Sequence, residues 1–340
     1  MFLRNEWYVV ALAGELCERP IKRWILGEPM ALFRTASGRA VALDDRCPHR
    51  GAPLSSGEVQ GETLSCGYHG FTFDSSGQCV HVPGMTSVPR KACVKSYPVI
   101  DRWGWIFAWM GDATRADEAK LPDFRWMTEP GWAGENEYLA VKASYALVRD
   151  NLLDLTHARY VHKNTLATSA VTEFPISTEV DARRVRVVRE MPGIEASPFF
   201  KRVVGYATRV DHRQRIDFFP PCYVLINTTV ASVAGSGEAL ASSWFVLNAL
   251  TPENAGATHY FWGLVRNIAL DDAKLTETQQ SLNRATFNED LSILEQQQQL
   301  LDCAPASWRP FATPHDRGCV QAERLMNRLL AAEQAVQQSA

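Results

Sequence analysis

Two short cysteine and histidine pairs stand in the first quarter of the chain, Cys47-Pro48-His49 and Cys66-Gly67-Tyr68-His69, with 16 residues between them. Each pair offers one thiolate and one imidazole. Two cysteines on one iron and two histidines on the other form the ligand set of a mixed-ligation two-iron two-sulfur cluster, whose work is one-electron transfer. A structural zinc site is the alternative for Cys2His2, although zinc modules usually pair cysteine with cysteine and histidine with histidine.

A second constellation lies downstream in Asp150-Asn151-Leu152-Leu153-Asp154-Leu155-Thr156-His157-Ala158-Arg159-Tyr160-Val161-His162. The stretch has no Gly or Pro and is predicted to be helical, with Asp150, Asp154 and His157 on one face at i, i+4 and i+7. Two histidines among carboxylates make a better metal candidate than one histidine alone. An Fe(II) that must bind dioxygen takes a third protein ligand, because two histidines and one carboxylate leave open positions for oxygen. Asp290 is the best carboxylate. Phe287, Leu291, Leu294 and Leu301 recur at helical spacing, and Asp290 lies beside that stripe, where an ionised carboxylate is costly unless paired or metal-bound. An ion pair with Arg284 is the ordinary alternative, and Glu289 is the second candidate ligand.

These residues need elements to hold them. Residues 31–34 and 40–43 flank Ser37-Gly38, and residues 71–74 precede Ser75-Ser76-Gly77, so each cysteine and histidine pair is placed in a loop at a strand end. β-rich runs over residues 218–230, 243–250 and 259–266 come next, then helices over about 275–301 and 321–334. Runs of strands followed by helices imply an α+β fold. Residues 1–112 are read as an all-β iron-sulfur domain and 113–340 as the catalytic domain, with the polar stretch 113–120 as a linker.

Composition excludes several classes. At 340 residues, 46% hydrophobic and 21% charged, the chain can bury a sizeable core. A net charge of -3 provides no basic field for nucleic acid or an anionic membrane. No apolar run is long enough to span a bilayer and no signal-peptide pattern is present, so the expected location is the cytoplasm. The remaining six cysteines are scattered singly and read as reduced thiols.

The motifs also carry a family resemblance. The segments 47–54 and 66–71 resemble the two halves of the Rieske motif in Rieske non-haem iron oxygenases, without the extra loop cysteines of respiratory-chain Rieske proteins. Residues 151–162 resemble the mononuclear-iron motif of the same enzymes. Residues 2–9, 260–267 and 295–298 are similar to the vanillate O-demethylase oxygenase group, which includes dicamba and toluenesulfonate monooxygenases. The likeness spans nearly the whole chain; Phe71 departs from it where many ring dioxygenases have tryptophan.

The resemblance implies Cys47, His49, Cys66 and His69 as cluster ligands and His157, His162 and Asp290 as iron ligands. It also implies that Asp154 bridges His157 to His69 of a neighbouring subunit, that the catalytic domain is a helix-grip antiparallel sheet, and that the assembly is a homotrimer. The implied activity is oxygenation of an aromatic substrate by dioxygen, with O-demethylation of an aromatic acid such as vanillate as the leading expectation and methyl or ring hydroxylation as the other. NADH would act through a separate flavin and iron-sulfur reductase, since the sole Gly-X-Gly, Gly235-Ser236-Gly237, lacks the third glycine of a dinucleotide fingerprint. Asn227 and Asn248 alternate with apolar neighbours and are candidate substrate contacts. A pure electron carrier would need only the first motif, and a zinc-bearing binding protein neither iron set.

Overall fold

The turn residues act where the sequence puts them. In the computed structural model, which describes residues 1–162, 173–196, 200–201, 209–233 and 241–338, β3 (Glu28–Arg34) and β4 (Ala40–Asp44) form a hairpin across Ser37-Gly38. β2 (Ile21–Ile25) and β9 (Ser96–Tyr97) complete that sheet. β1 (Trp7–Leu12), β11 (Trp105–Trp109) and β10 (Val99–Arg102) form a second. β5 (Glu58–Gln60), β6 (Thr63–Ser65), β7 (Thr72–Phe73) and β8 (Cys79–His81) form a third. Alternate residues Ala31 and Phe33 of β3, and Val41 and Leu43 of β4, enter one core with Leu54, Leu64, Phe73, Cys47 and Cys66. Side-chain alternation turns these β3 and β4 residues inward, and the two cysteines, in the loops after β4 and β6, join the core they form.

This first unit runs from Met1 to Leu121 and takes in Thr251–Ala255. The segment expected to be a linker belongs to it. Trp7 donates its indole N–H to Asp117 O at 2.8 Å, and Lys120 Nζ reaches Asn5 O at 2.7 Å. Asp112 and Asp117 each cap a short 3-10 turn by accepting from an amide two residues on. The stretch is polar because its charges close turns and tether strands, not because it is free.

The second unit holds a sheet ordered β12-β18-β17-β16-β15-β14-β13. Its strands are β12 (Ala133–Val141), β13 (Ile176–Val180), β14 (Val185–Glu195), β15 (Arg209–Phe219), β16 (Tyr223–Ser232), β17 (Ala241–Asn254) and β18 (Ala257–Arg266); the last four residues of β17 fall in the first unit. The run expected over 218–230 is thus the end of one strand and most of the next, parted at Pro220-Pro221, where prolines have no N–H to continue a ladder. The helices are α1 (Tyr145–Leu153), α2 (Ala158–Val161), α3 (Ala273–Asp302) and α4 (Arg317–Gln338).

Strand register fixes which residues face the helices. Phe287 of α3 packs on the rings of Tyr260 and Trp262, each with centroids 5.2 Å away. Tyr260 donates to Asn248 Oδ1, so Asn248 shares that face. Residues directly opposite in an antiparallel pair lie on the same face. Through Val224↔Asn248, Phe218↔Val224 and Val187↔Ile216, the helix-covered face includes Val224, Phe218, Ile216 and Val187. On the other face, Phe245 packs beneath Trp126 and Trp132 at 4.4 and 4.8 Å.

Candidate active site

The two cysteine and histidine loops are folded by the same pair of backbone hydrogen bonds. In the first, Gly51 N–H donates to Cys47 O at 2.8 Å and Cys47 N–H to Ala52 O at 2.9 Å. In the second, Gly70 N–H donates to Cys66 O at 3.0 Å and Cys66 N–H to Phe71 O at 2.8 Å. Both glycines stand at positive φ, +69° and +70°, where a side chain is strained. Cys47 and Cys66 are each 3% exposed and form no disulfide, whereas His49 and His69 are exposed with ring centroids 4.5 Å apart. Phe71 stacks flat on His49 at 4.8 Å.

Buried sulfurs below and paired imidazoles at the surface fit a cluster whose two irons differ in ligation. Burial, with the neighbouring Cys66, pushes the Cys47 thiol up, against the His49 and Arg50 amides aimed at its sulfur. Those amides are the donors that would stabilise a sulfur carrying negative charge.

The second motif is not one helix. α1 stops at Leu153, and Asp154 turns extended, with ψ 105°. Its carboxylate accepts from both the amide and the hydroxyl of Thr156 at 2.6 Å, an Asx turn that competes with helix continuation. The break has a consequence. On an unbroken helix, residues five apart diverge by about 140°, yet here His157 Nε2 and His162 Nε2 converge to 3.2 Å. Asp290 Oδ1 on α3 lies 3.5 Å from His157 Nε2 and 3.3 Å from His162 Nε2.

Both imidazoles are set in the metal-ready tautomer. His157 Nδ1 donates to the carbonyl of Asp154 at 2.5 Å, and His162 Nδ1 donates to Glu289 Oε2 at 2.9 Å. Pure acceptors at both Nδ1 atoms place the protons there and leave both Nε2 lone pairs facing each other and Asp290. Ligands at right angles around an ion about 2.1 Å away are about 3 Å apart, so this donor set fits a facial metal site. Burial alone would push the His162 pKa down, but Asp290 and Glu289 outweigh it and hold it above the ordinary imidazole value. Asn151 Nδ2 steadies Asp290 Oδ1 at 3.0 Å.

Residues 6–98 match the Rieske [2Fe-2S] domain and residues 141–332 the vanillate O-demethylase oxygenase C-terminal domain. Over 98% of its length the chain is 37% identical to the vanillate O-demethylase oxygenase subunit of Pseudomonas sp. strain HR199, of which it covers 96%. The chain belongs to the vanillate O-demethylase group of Rieske non-haem iron oxygenases. It is 35% identical to the toluene-4-sulfonate monooxygenase system iron-sulfur subunit of Comamonas testosteroni, over 98% of both chains. The crystal structure of dicamba monooxygenase bound to 3,6-dichlorosalicylic acid shares the fold at a TM-score of 0.93, with 34% identity, 98% of this chain and 99% of that one covered. The enzyme is an oxygenase component whose cofactors are a Rieske cluster and a mononuclear non-haem iron. The zinc and electron-carrier alternatives fall with those matches.

In this oxygenase, His157, His162 and Asp290 come together from two separate segments. Arg284 does not pair with Asp290; it donates to Glu137 Oε2 at 2.9 Å. Glu289 holds the far nitrogen of His162 instead of joining the triad. Asp154 Oδ2 lies 4.0 Å from His157 Nδ1, beyond hydrogen-bond reach, and it is the Asp154 carbonyl that accepts from the ring.

The two asparagines are not brought together. Asn227 pairs opposite Phe245, on the face away from the helices, and takes a hydrogen bond from Thr229 Oγ1 at 3.0 Å. Asn248 faces the helices but is fully buried, with its amide donating to Val224 O and Val246 O and accepting from Tyr260. Gly235-Ser236-Gly237 lies outside the described residues. Glu289 and Asn151 as partners of the triad went unrecognised in the sequence; the signal available was that a ligating histidine needs an acceptor at its other nitrogen.

Proposed function

We propose that this oxygenase O-demethylates a methoxylated aromatic acid of the vanillate kind, yielding protocatechuate and formaldehyde. The observation that carries the reading is 37% identity over 98% of the chain to a vanillate O-demethylase oxygenase subunit, which joins a site of the right donor set. His157, His162 and Asp290 would hold the iron, and Cys47, His49, Cys66 and His69 the cluster. When bound, these groups supply electron delivery and dioxygen activation. Oxygen enters a methyl C–H bond of the ether, while the second oxygen atom leaves as water with two electrons and two protons. The resulting hemiacetal collapses to the phenol and formaldehyde.

The chain's own residues position this chemistry. The Asp154 carbonyl and Glu289 hold the two imidazoles in the Nδ1-protonated form, and Asn151 orients Asp290. Asp154 would link His157, held by its carbonyl, to the His69 of a neighbouring copy in a homotrimer, reached by its carboxylate, 26% exposed, and so shorten the path of the electron. Electrons come from NADH through a separate flavin and iron-sulfur reductase. A second reading, hydroxylation of a methyl group or ring on another aromatic acid, is favoured by 35% identity to the toluene-4-sulfonate relative.

The test is an assay of the purified oxygenase with a compatible reductase, NADH and vanillate. Protocatechuate and formaldehyde in equal amounts are expected. Iron-replete protein that forms neither product, but hydroxylates toluene-4-sulfonate, would move the assignment to the second reading.

A further inference from the structure

Arg189 is 1% exposed and makes no ion pair among the described residues. It lies on β14 directly opposite Gln214 of β15, with Met191 opposite His212. Val187, two residues before Arg189, lies opposite Ile216 on the helix-covered face, so Arg189, His212 and Gln214 share that face with Asn248.

The cation is under-used. Arg189 Nη1 donates to Leu155 O at 3.2 Å, two residues before His157, while its Nε has no partner. The comparably buried Arg266 also leaves its Nε without a partner, but its two terminal nitrogens donate to Thr276, Gln279, Ala269 O and Asp272 O, against the single bond made by Arg189. Beside Arg189, His212 Nε2 and Gln214 Oε1 are also buried without partners, although both residues are only half-buried overall. Burial, with the Arg189 charge, pushes His212 down to about 4, so its ring is neutral at pH 7 and can donate from Nε2. A glutamine amide can present its NH2 in place of its oxygen at no cost in shape. A guanidinium, an imidazole and an amide with unspent hydrogen bonds, beside the chain that carries an iron histidine, are complementary to a carboxylate.

We propose that Arg189, His212 and Gln214 form the subsite that receives the acid group of the aromatic substrate. The assignment rests on the aromatic-acid reading above and adds to it the residues that select for the acid. The carboxylate takes the guanidinium, and the two neighbours supply the remaining donors.

The test is calorimetric titration of the holoenzyme with vanillate, its neutral amide vanillamide, and toluene-4-sulfonate. Arg189→Met should weaken vanillate binding roughly 30-fold or more while vanillamide affinity stays within about threefold, as expected when only a charge partner is lost. Equal loss for vanillate and vanillamide, or no loss for either, overturns the proposal. Should Arg189→Met fail to fold, His212→Leu and Gln214→Leu must each lower the vanillate to vanillamide affinity ratio; an unchanged ratio in both overturns it as well. A wild type that binds toluene-4-sulfonate but not vanillate, with the same dependence on Arg189, supports the subsite and removes the vanillate assignment.

Discussion

Glu289 Oε2 lies 2.9 Å from His162 Nδ1, on the edge of the ring opposite Asp290. The adjacent acids therefore divide the work on one imidazole, with Asp290 at the metal side and Glu289 behind. Loss of such an outer carboxylate typically costs 10–100-fold in metal affinity. Glu289→Gln should accordingly weaken iron binding by roughly that factor, and Asp290→Asn should abolish it. Iron retained after dialysis against graded chelator measures both. Equal retention by Glu289→Gln and wild type would show that the contact does not hold the ring for metal.

Asp154 serves through two different atoms. Its carbonyl orients His157, and its carboxylate closes the Asx turn with Thr156. Asparagine keeps both, because its side-chain oxygen can accept from Thr156 in the same way. Asp154→Asn should thus keep iron and cluster content near wild type and yet lower turnover by about 10–100-fold, whereas Asp154→Ala should also lose iron. Metal analysis beside single-turnover product yield separates the two, and normal turnover by Asp154→Asn would remove the carboxylate from the electron path.

Gly51 and Gly70 occupy equivalent places in the cluster loops, at φ +69° and +70°. Alanine at either should cost about 1–2 kcal/mol in backbone strain. A Cβ on Gly70 would also meet Pro83 Cγ at 3.0 Å, while one on Gly51 meets nothing within 4 Å. Gly70→Ala should therefore be the more damaging, read as lower cluster absorbance and a lower melting temperature. The reverse order would mean that the Pro83 contact is not what separates the two loops.

The cluster ligands were legible because each pair sits within one short loop whose turn residues are local. The iron triad was legible in its members but not in its assembly. Asp154 can sit inside a helix or end one, and only its bond to Thr156 decides that the helix breaks and the histidines converge. The faces of Asn227 and Asn248 were hidden for another reason. Both alternate with apolar neighbours, but whether they share a face depends on register, and the pairing of Val224 with Asn248 puts them on opposite sides. Residues 113–120 read as a linker because polarity does not reveal that a lysine and an indole tie them back to Asn5 and to the first strand.

Acid should act on the second unit through two half-buried groups of opposite sign. His212 titrates at about 4 in the folded chain against 6.5 ordinarily. Between those values the unfolded chain takes up a proton that the folded chain refuses, so stability falls as pH drops from about 6.5 toward about 4 and levels off below. The loss approaches about 3 kcal/mol in full and about 2 kcal/mol by pH 5. Asp150, pushed up to about 6 by burial, works the other way between about 6 and 3.8, because the folded chain binds the proton first. Its side chain is 37% exposed, so solvent screens this contribution and it should be the smaller of the two. Wild type should thus lose stability between pH 7 and pH 5, and His212→Phe should lose less or gain. Melting temperatures of both holoenzymes at the two pH values test this, since cofactor effects common to the pair cancel in the comparison. Parallel curves would mean that His212 is protonated as easily in the folded chain as in the unfolded one, and that the neutral donor beside Arg189 does not exist at working pH.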